Sequence, residues 1–480
     1  MLICMARETQ APEYETRYGN AVGFINRVVK QGELGYIYAF PDKRLYQPAE
    51  DSNALVHEAW GDYEGPIGIY VHTPYCTPRF PSPETVAKMQ DAGIKLEGRD
   101  RLCGYCNLYT TVAPNVPPEF VTQVTNEIDM YKQIFEGRRM SPTSLYFGGG
   151  TPSLLAVEDI GKILTHVKSL FGEFPQNTEI TIETSPDTVT AGKLKAIKDL
   201  GFNRVSVGVE SFDPGVLSYT GRDYNPKLGY DAVKAAMKTG FSCVNGDLIA
   251  GLPTATKDVF LRDVALMLQL SPNTITVYED MTRPLTRFGK MAEHGILPSV
   301  SQVDIYDWIA TANEMLEKKG YVRDSLTCWT RDGSGYKQGE DIYSGVPIIG
   351  FGPSARSYGP NAHYATEYVV NTSLTNLAIH KWRECLQRGD FPQFEAYLLT
   401  QDIKTRKSII LGLMSKEGLN LKTLGSHFNP ELQALMDAGM AQEKDGILHY
   451  TQRGKAYSGA ISKLFFGPQI TEQLREYEPK

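Results

Sequence analysis

From Ile67 onward, short apolar runs alternate with amphipathic stretches at roughly 30-residue intervals, a rhythm that few folds can accommodate. Ile67–Val71, Ser144–Phe147, Glu179–Glu183, Arg204–Val209, Ser242–Ile249 and Thr274–Tyr278 read as strands. Between and after them, Val157–Phe171, Ala191–Leu200, Lys227–Thr239, Lys257–Leu270 and Gln302–Lys319 have helical spacing, with Gly201 and Gly240 as stop signals. Such alternation predicts a parallel α/β barrel. Six units fall short of the eight that close a barrel, so an open, partial (β/α)6 barrel is expected.

In parallel barrels chemistry collects at the C-terminal ends of the strands. Here those ends carry Cys76, Gly148-Gly149-Gly150, Glu183, Glu210, Asp247 and Glu279. Such a set suits a polar ligand with amine and ribose groups, although each acid taken alone could simply cap the helix that follows. Cys76 has company in Cys103-Gly104-Tyr105-Cys106, and both stretches follow the first strand. Thiolates clustered after a strand point to metal or iron–sulfur ligation. Three of them can hold three irons of a cubane and leave the fourth open to a small chelating ligand. A zinc site would need a fourth ligand, for which His72 is the nearest candidate. A disulfide with a spare thiol is the other alternative, though seven cysteines in 480 residues is sparse for a disulfide scaffold. The remaining Cys4, Cys243, Cys328 and Cys385 are scattered and read as small buried hydrophobes.

The bulk composition bounds the rest. A hydrophobic fraction of 41% and a charged fraction of 22% are ordinary for a globular protein, and the net charge of −7 argues against nonspecific nucleic-acid binding. No apolar run approaches the ~20 residues that span a bilayer, and Met1–Arg7 does not read as a signal peptide. A cytoplasmic protein with no membrane or nucleic-acid partner is the expectation. The 27 tyrosines suit either a pocket for a large flat ligand or a generous core.

Residues 1–66 show weak periodicity and read as an N-terminal extension wrapping the core. Residues 67–390 form the barrel unit, ending in an apolar, Gly-rich strand and turn over Val346–Tyr358. Residues 391–480 read as a small winged-helix-like α+β domain. Its helices are expected at Lys404–Met414, Leu421–Phe428, Asn429–Gly439 and Thr451–Phe466, with a hairpin turning at Asp445-Gly446. No basic recognition helix is evident there, so a lid or docking role is expected, and Glu472–Lys480 reads as an unstructured charged tail.

With these residues in view, the chain resembles a known group. Tyr70-Val71-His72-Thr73-Pro74-Tyr75-Cys76, Cys103-Gly104-Tyr105-Cys106-Asn107-Leu108, Tyr146-Phe147-Gly148-Gly149-Gly150-Thr151-Pro152-Ser153, Gly208-Val209-Glu210-Ser211-Phe212, Gly221-Arg222 and Asp247-Leu248-Ile249-Ala250-Gly251-Leu252-Pro253 are similar to motifs of the radical S-adenosylmethionine (SAM) proteins related to oxygen-independent coproporphyrinogen dehydrogenase. The similarity runs in order from about residue 67 to 466. One departure stands out: the family usually spaces its cysteines CxxxCxxC, whereas residues 77–102 separate Cys76 from Cys103 here. That stretch reads as an inserted loop. Closure entropy grows only logarithmically with loop length, and a cluster fixes the sulfurs without restricting the chain between them. The rival reading is that Cys76 is no ligand and the cluster is lost.

Within the family, Asn107-Leu108 stands where the coproporphyrinogen dehydrogenases carry a further cysteine. Cys103–Thr110, Arg323-Asp324-Ser325, Gln338-Gly339-Glu340-Asp341, Ala355-Arg356-Ser357-Tyr358 and His363-Tyr364 resemble the class C radical SAM methyltransferase and cyclopropanase branch. The heme-chaperone branch usually keeps a His near Arg356, which is absent here. The resemblance implies a [4Fe–4S] cluster on Cys76, Cys103 and Cys106. It also implies SAM bound by Tyr70, Gly148, Gly149, Gly150, Glu183, Arg222 and Asp247, with Glu210 between two ligand positions. For the class C branch it implies two SAM molecules, a small-molecule substrate, and transfer of a methyl or methylene carbon to an unsaturated carbon. The electron donor would be a flavodoxin or ferredoxin. Oxidative decarboxylation of a porphyrinogen and heme chaperoning are the alternatives within the same family.

Overall fold

The computed structural model describes residues 11–33, 37–369 and 372–477. Cys4 and the amino-terminal residues lie outside this range. The chain forms two compact units, residues 46–338 with 347–398, and residues 1–45 with 339–346 and 399–477.

The larger unit is built on a 13-stranded sheet. Its parallel centre comprises β1 (Gly65–Thr73), β2 (Met140–Gly149), β3 (Glu179–Thr184), β4 (Arg204–Glu210), β5 (Cys243–Ala250) and β6 (Thr274–Glu279), in that spatial order. Each is followed by a helix: Pro118–Ile134, Val157–Phe171, Ala191–Asp199, Lys227–Thr239, Lys257–Leu270 and Gln302–Lys318. The six-unit α/β reading therefore holds. Beyond β6 the sheet continues antiparallel through β7 (Cys328–Thr330), and among the described residues no strand pairing links that edge back to the opposite one, so the barrel is open.

Alternation along each strand explains the layering. Ile67, Ile69 and Val71 of β1 are fully buried among Val124 and Ile128 of the following helix and their neighbours. The intervening Gly68, Tyr70 and His72 face the other way, as a period of two requires. Helix ends follow their sequence signals. Thr190 and Thr256 accept from the third residue beyond, and Gly240 closes its helix in the left-handed conformation that a residue without Cβ adopts most cheaply.

The apolar run after residue 345 becomes β8 (Ile348–Phe351). It pairs in parallel with β1, not with β6, so the first strand is flanked on both sides. Antiparallel β9 (Ser357–Tyr358), β10 (Ala362–Thr366) and β11 (Phe394–Leu398) extend that edge. Residues 46–66 differ from the expected wrapping extension. Helix Ser52–Trp60 sinks Leu55, Val56, Ala59 and Trp60 into the main core, where Trp60 Nε1–H donates to Tyr364 Oη at 2.8 Å. Phe394–Leu398, expected in the C-terminal segment, is likewise a strand of the large sheet.

In the smaller unit, helix Ala11–Gln31 is tied by Arg17 to both carboxylate oxygens of Glu431, each at 2.9 Å. Helices Gln401–Gly412, Leu421–Leu424, Asn429–Asp437 and Gln452–Ile461 accompany a three-stranded sheet. Its hairpin turns at Asp445 and Gly446, both at positive φ. The expected unstructured tail is instead helical over Pro468–Glu476, where Ile470 is buried. Residues 478–480 lie outside the described range. No helix among the described residues is long and apolar enough to cross a membrane.

Ile182 of β3 is fully buried in the core of the large unit. Ile182→Ala should cost about 2–5 kcal/mol through lost transfer energy and the cavity left behind. The check is a lowered urea midpoint with an unchanged slope.

Candidate iron–sulfur and SAM site

Cys76 and the Cys103–Cys106 turn, separated by residues 77–102, lie within electrostatic reach of one another. Cys76 ends a two-residue strand, Tyr75–Cys76, which pairs in parallel with Thr111–Val112. Thr151 Oγ1, just past the triple glycine, lies 3.5 Å from Cys76 Sγ. Cys103 and Cys106 flank a tight turn closed by Cys106 N–H to Cys103 O at 3.0 Å. Gly104 is pinned on both sides: its N–H donates to Thr220 O at 3.0 Å and its carbonyl accepts from Phe288 N–H at 2.9 Å. A Cβ on Gly104 would sit 2.3 Å from the Phe288 ring, so this position of the CxxC turn needs glycine.

The thiols sense one another electrostatically. Burial pushes Cys76 up to about 12, with Cys106 and Cys103 adding to the rise, and burial raises Cys106 as well. On Cys103 burial also pushes upward, but Arg222 and Arg79 outweigh it and hold the thiol below its ordinary value. Among the described residues, no three His, Cys, Asp or Glu side chains converge tightly enough for a single metal ion. Three thiols ringed by arginines, with no carboxylate among the donors, fit an anionic iron–sulfur cluster, whose corners lie further apart than the ligands of one ion.

His72 is not a ligand. Its ring is buried, Nε2 lies 2.9 Å from Tyr109 O, and Nδ1 lies 3.2 Å from Tyr70 Oη. Burial lowers it to about 4, so it is neutral and fully engaged. Cys243 and Cys328 are buried and Cys385 is half-buried, all as free thiols.

The strand-end acids are fixed in different ways. Glu183 accepts from Tyr146 Oη–H at 2.6 Å and from Gly149 N–H at 3.1 Å. Burial raises it to about 7 against those two bonds. Tyr146 stacks on Tyr70, ring centroids 6.0 Å apart. Glu210 adopts a left-handed backbone at φ 67 and pairs with Arg222 at 2.8 Å. It too is raised to about 7, by burial first, against the pull of Arg222. Asp247 accepts from Ser206 at 2.9 Å and from Asn245 at 2.7 Å, and burial raises it. Tyr70, Glu183, Glu210, Arg222 and Asp247 therefore all have protein partners at or beside strand ends. None of these acids caps a helix.

The glycines answer first to their neighbours. A Cβ on Gly148 would meet the Tyr146 and Tyr70 rings at 2.8 and 2.9 Å. On Gly149, at φ 106, it would meet the His72 ring at 2.5 Å, and on Gly150 the Tyr75 carbonyl at 2.5 Å. The run lets β2 cross closely over the end of β1.

The segment 77–102 is not a plain loop. It holds helix Pro83–Asp91, capped by Ser82 with Pro83 in its first turn, and a short 3₁₀ turn at Gly98–Arg101. Ser82-Pro83-Glu84 is a start signal that could have revealed this helix in the sequence. The segment delivers Arg79, which grips Asp187 at 2.8 and 2.9 Å and Ser185 at 3.0 Å in the loop after β3. Met89 and Ile94 pack with Tyr219 of helix Pro214–Thr220, after β4, and with Phe288 and Met291 of helix Arg287–Glu293, after β6.

Residues 99–267 match the model of the radical SAM superfamily. The heme chaperone HemW of Bacillus subtilis is 23% identical over 392 residues, covering 79% of this chain and all of that protein. The oxygen-independent coproporphyrinogen III oxidase of Helicobacter pylori J99 is 23% identical over 410 residues, covering 81% and 82%. The solved coproporphyrinogen III oxidase HemN of Escherichia coli shares the fold, with a TM-score of 0.71 at 20% identity over 90% of this chain and 96% of that one. The match to the radical SAM superfamily thus covers residues 99–267, and the chain as a whole is similar to HemN- and HemW-like proteins.

The class C methyltransferase and cyclopropanase reading is overturned, because these relatives are heme chaperones and coproporphyrinogen oxidases. The second SAM falls with it. Several residues that carried that reading have structural work instead. Arg323 stacks over Trp329 at 4.9 Å, Gln338 donates to Ile69 O at 3.0 Å, and His363 and Tyr364 are buried in the sheet.

With Cys76 as a third ligand, Cys76→Ala should leave anaerobically reconstituted protein with sharply reduced iron and sulfide per chain. Cys385→Ala, away from the cluster of thiols, should load as the parent does. Colorimetric iron and sulfide analysis is the check, and normal loading of the Cys76 variant would show that this thiol is not a ligand.

Proposed function

We propose that this chain is a radical SAM protein that handles a tetrapyrrole in the manner of the heme chaperone HemW. What supports this reading is the mutual proximity of Cys76, Cys103 and Cys106, with Glu210 and Arg222 beside Cys103, in a chain that aligns along the whole length of a HemW. Asn107 in place of a fourth cysteine favours the chaperone over the oxidase. Oxidative decarboxylation of coproporphyrinogen is the second reading, favoured by the oxidase relative aligned over 82% of its length.

Cys76, Cys103 and Cys106 would hold a [4Fe–4S] cluster. When bound, such a cluster supplies a single electron to SAM chelated at its open iron, the chemistry by which radical SAM proteins generate a 5′-deoxyadenosyl radical. The protein's own residues bind and orient. Glu183, held at both oxygens by Tyr146 and Gly149, keeps lone pairs for a cationic group of SAM. Asp247, fixed by Ser206 and Asn245, retains acceptor capacity toward ribose hydroxyls. Tyr70 and Tyr146 offer a stacked aromatic wall beside them. Arg222, held by Glu210 and Gly208 O, has donors at the Cys103 side of the site for a carboxylate. An external low-potential flavodoxin or ferredoxin would deliver the electron.

Heme and coproporphyrinogen III, offered separately under anaerobic reducing conditions with SAM, discriminate the readings. The chaperone reading expects stoichiometric heme binding, seen as a shifted Soret band, and no decarboxylated porphyrinogen. Conversion of coproporphyrinogen with release of 5′-deoxyadenosine would establish the second reading instead.

The acid at 183 gives SAM binding a pH dependence. Its carboxyl is raised to about 7, so the ionised form that attracts a cation is complete above about pH 8 and is lost as pH falls through 7. SAM affinity, measured by equilibrium dialysis, should weaken several-fold from pH 8 to pH 6. In Glu183→Gln it should be weaker at pH 8 and nearly flat across this range.

A further inference from the structure

Two arginines beside the thiols have unused donors and no acidic partner. Arg99 is only 4% exposed. One nitrogen, Nη2, donates to the carbonyls of Cys106 at 2.7 Å and Leu108 at 3.2 Å, so the guanidinium lies directly against the cysteine turn. Its Nε and Nη1 are buried without any hydrogen-bond partner among the described residues. Arg287 is 1% exposed. Nη1 donates to Asp100 O at 2.9 Å, Nη2 to Tyr219 O at 3.3 Å, and its Nε is also unpartnered.

The other two arginines of this region differ. Arg79 is neutralised by Asp187 and Arg222 by Glu210. Asp100, the acid nearest Arg287, is itself taken by Lys290 at 3.1 Å. Two buried positive charges thus remain with no carboxylate in ion-pair contact. Such a charge is expensive unless something of opposite sign meets it. Cys106 lies within electrostatic reach of Arg99; for Arg287 it is Cys103 first, and then Asp100, whose paired oxygen is already held by Lys290.

We propose that Arg99 and Arg287 are charge-compensating, positioning residues for the cluster, their spare N–H groups directed to its sulfurs. Three thiolates outweigh the positive charge of the cubane core, so the assembly is anionic and becomes more so on reduction. Buried cations and N–H donors at the sulfurs favour the reduced state and raise the midpoint potential. The inference rests on the cluster assignment above. It also gives the segment 77–102 a role, because Arg99 reaches the cysteine turn from within it.

The test is a redox titration of reconstituted protein, with the reduced cluster followed by electron paramagnetic resonance and iron measured in parallel. Arg99→Gln, which keeps a donor but removes the charge, should load iron and titrate at a more negative potential. Arg99→Lys should recover most of the parent value, and Arg287→Lys should stay close to it. An Arg99→Gln protein with full iron and an unshifted potential would overturn the proposal. If Arg99→Gln fails to hold iron, Arg99→Lys decides. Normal iron and potential in the lysine variant support a charge role. Loss of iron there too means Arg99 acts only through the Cys106 and Leu108 carbonyls, and the proposal falls. A parent chain that takes up no iron would overturn the cluster assignment itself, a different failure from an unshifted potential.

Discussion

Everything at the site depends on the parallel pairing of Gly65–Thr73 between Met140–Gly149 on one side and Ile348–Phe351 on the other. This ladder fixes the level at which β1 ends, and therefore where Cys76 begins. It also sets Tyr70 beside Tyr146 and His72 beside Gly148. The triple glycine exists because the exit of β1 passes too close to β2 for any Cβ. Thr73 and Tyr75 carbonyls then accept from Gly150 and Thr151, which ties the Cys76 turn to the glycine run. A slip of one residue would turn Tyr70 and His72 into the helical layer and move the first thiol away from the other two.

A second layer of organisation is electrostatic. The open end of the barrel gathers three half-buried carboxyls, at Glu183, Glu210 and Asp247, each raised by desolvation, and four buried arginines, at 79, 99, 222 and 287. Charges are costly in such surroundings, and here they are met by named partners or left facing the thiols. Concentrating so much unrelieved polarity in one place is a poor way to stabilise a fold and a good way to prepare a binding site for a charged ligand and a charged cluster.

Much of this was legible in the sequence, for reasons that can be stated. Strands such as Glu179–Glu183 and Arg204–Val209 are short runs rich in β-branched residues, and the helices that follow them carry clear stop signals at Gly201 and Gly240. Cys76 and the CxxC pair can be grouped from their place on two stretches after the first strand, despite the 26 residues between Cys76 and Cys103. Pairing partners were harder. Nothing local in Ile348–Phe351 says that it joins β1, because that choice is made by tertiary contact. The helix in segment 77–102 was masked by its prolines, although Pro83 stands at the first helical position, where proline is welcome. The ties of Arg79 to Asp187 and Ser185 span 108 and 106 positions, and those of Arg99 run to carbonyls only 7 and 9 positions on; no side-chain periodicity reports either. The finer choice of branch failed because it rested on motif matches at Arg323, Gln338, His363 and Tyr364, residues that stack, hydrogen-bond or pack within the sheet, whereas the relatives are heme chaperones and coproporphyrinogen oxidases.

The central claim is that three thiols hold a cluster with one iron open to SAM. It is tested most directly by the electron paramagnetic resonance spectrum of the reduced, reconstituted protein recorded with and without SAM. The account predicts a spin-one-half [4Fe–4S] signal whose g values move when SAM is added, because the ligand binds the cluster itself. A cluster signal indifferent to saturating SAM, or reduced protein with no cluster signal at all, would contradict it.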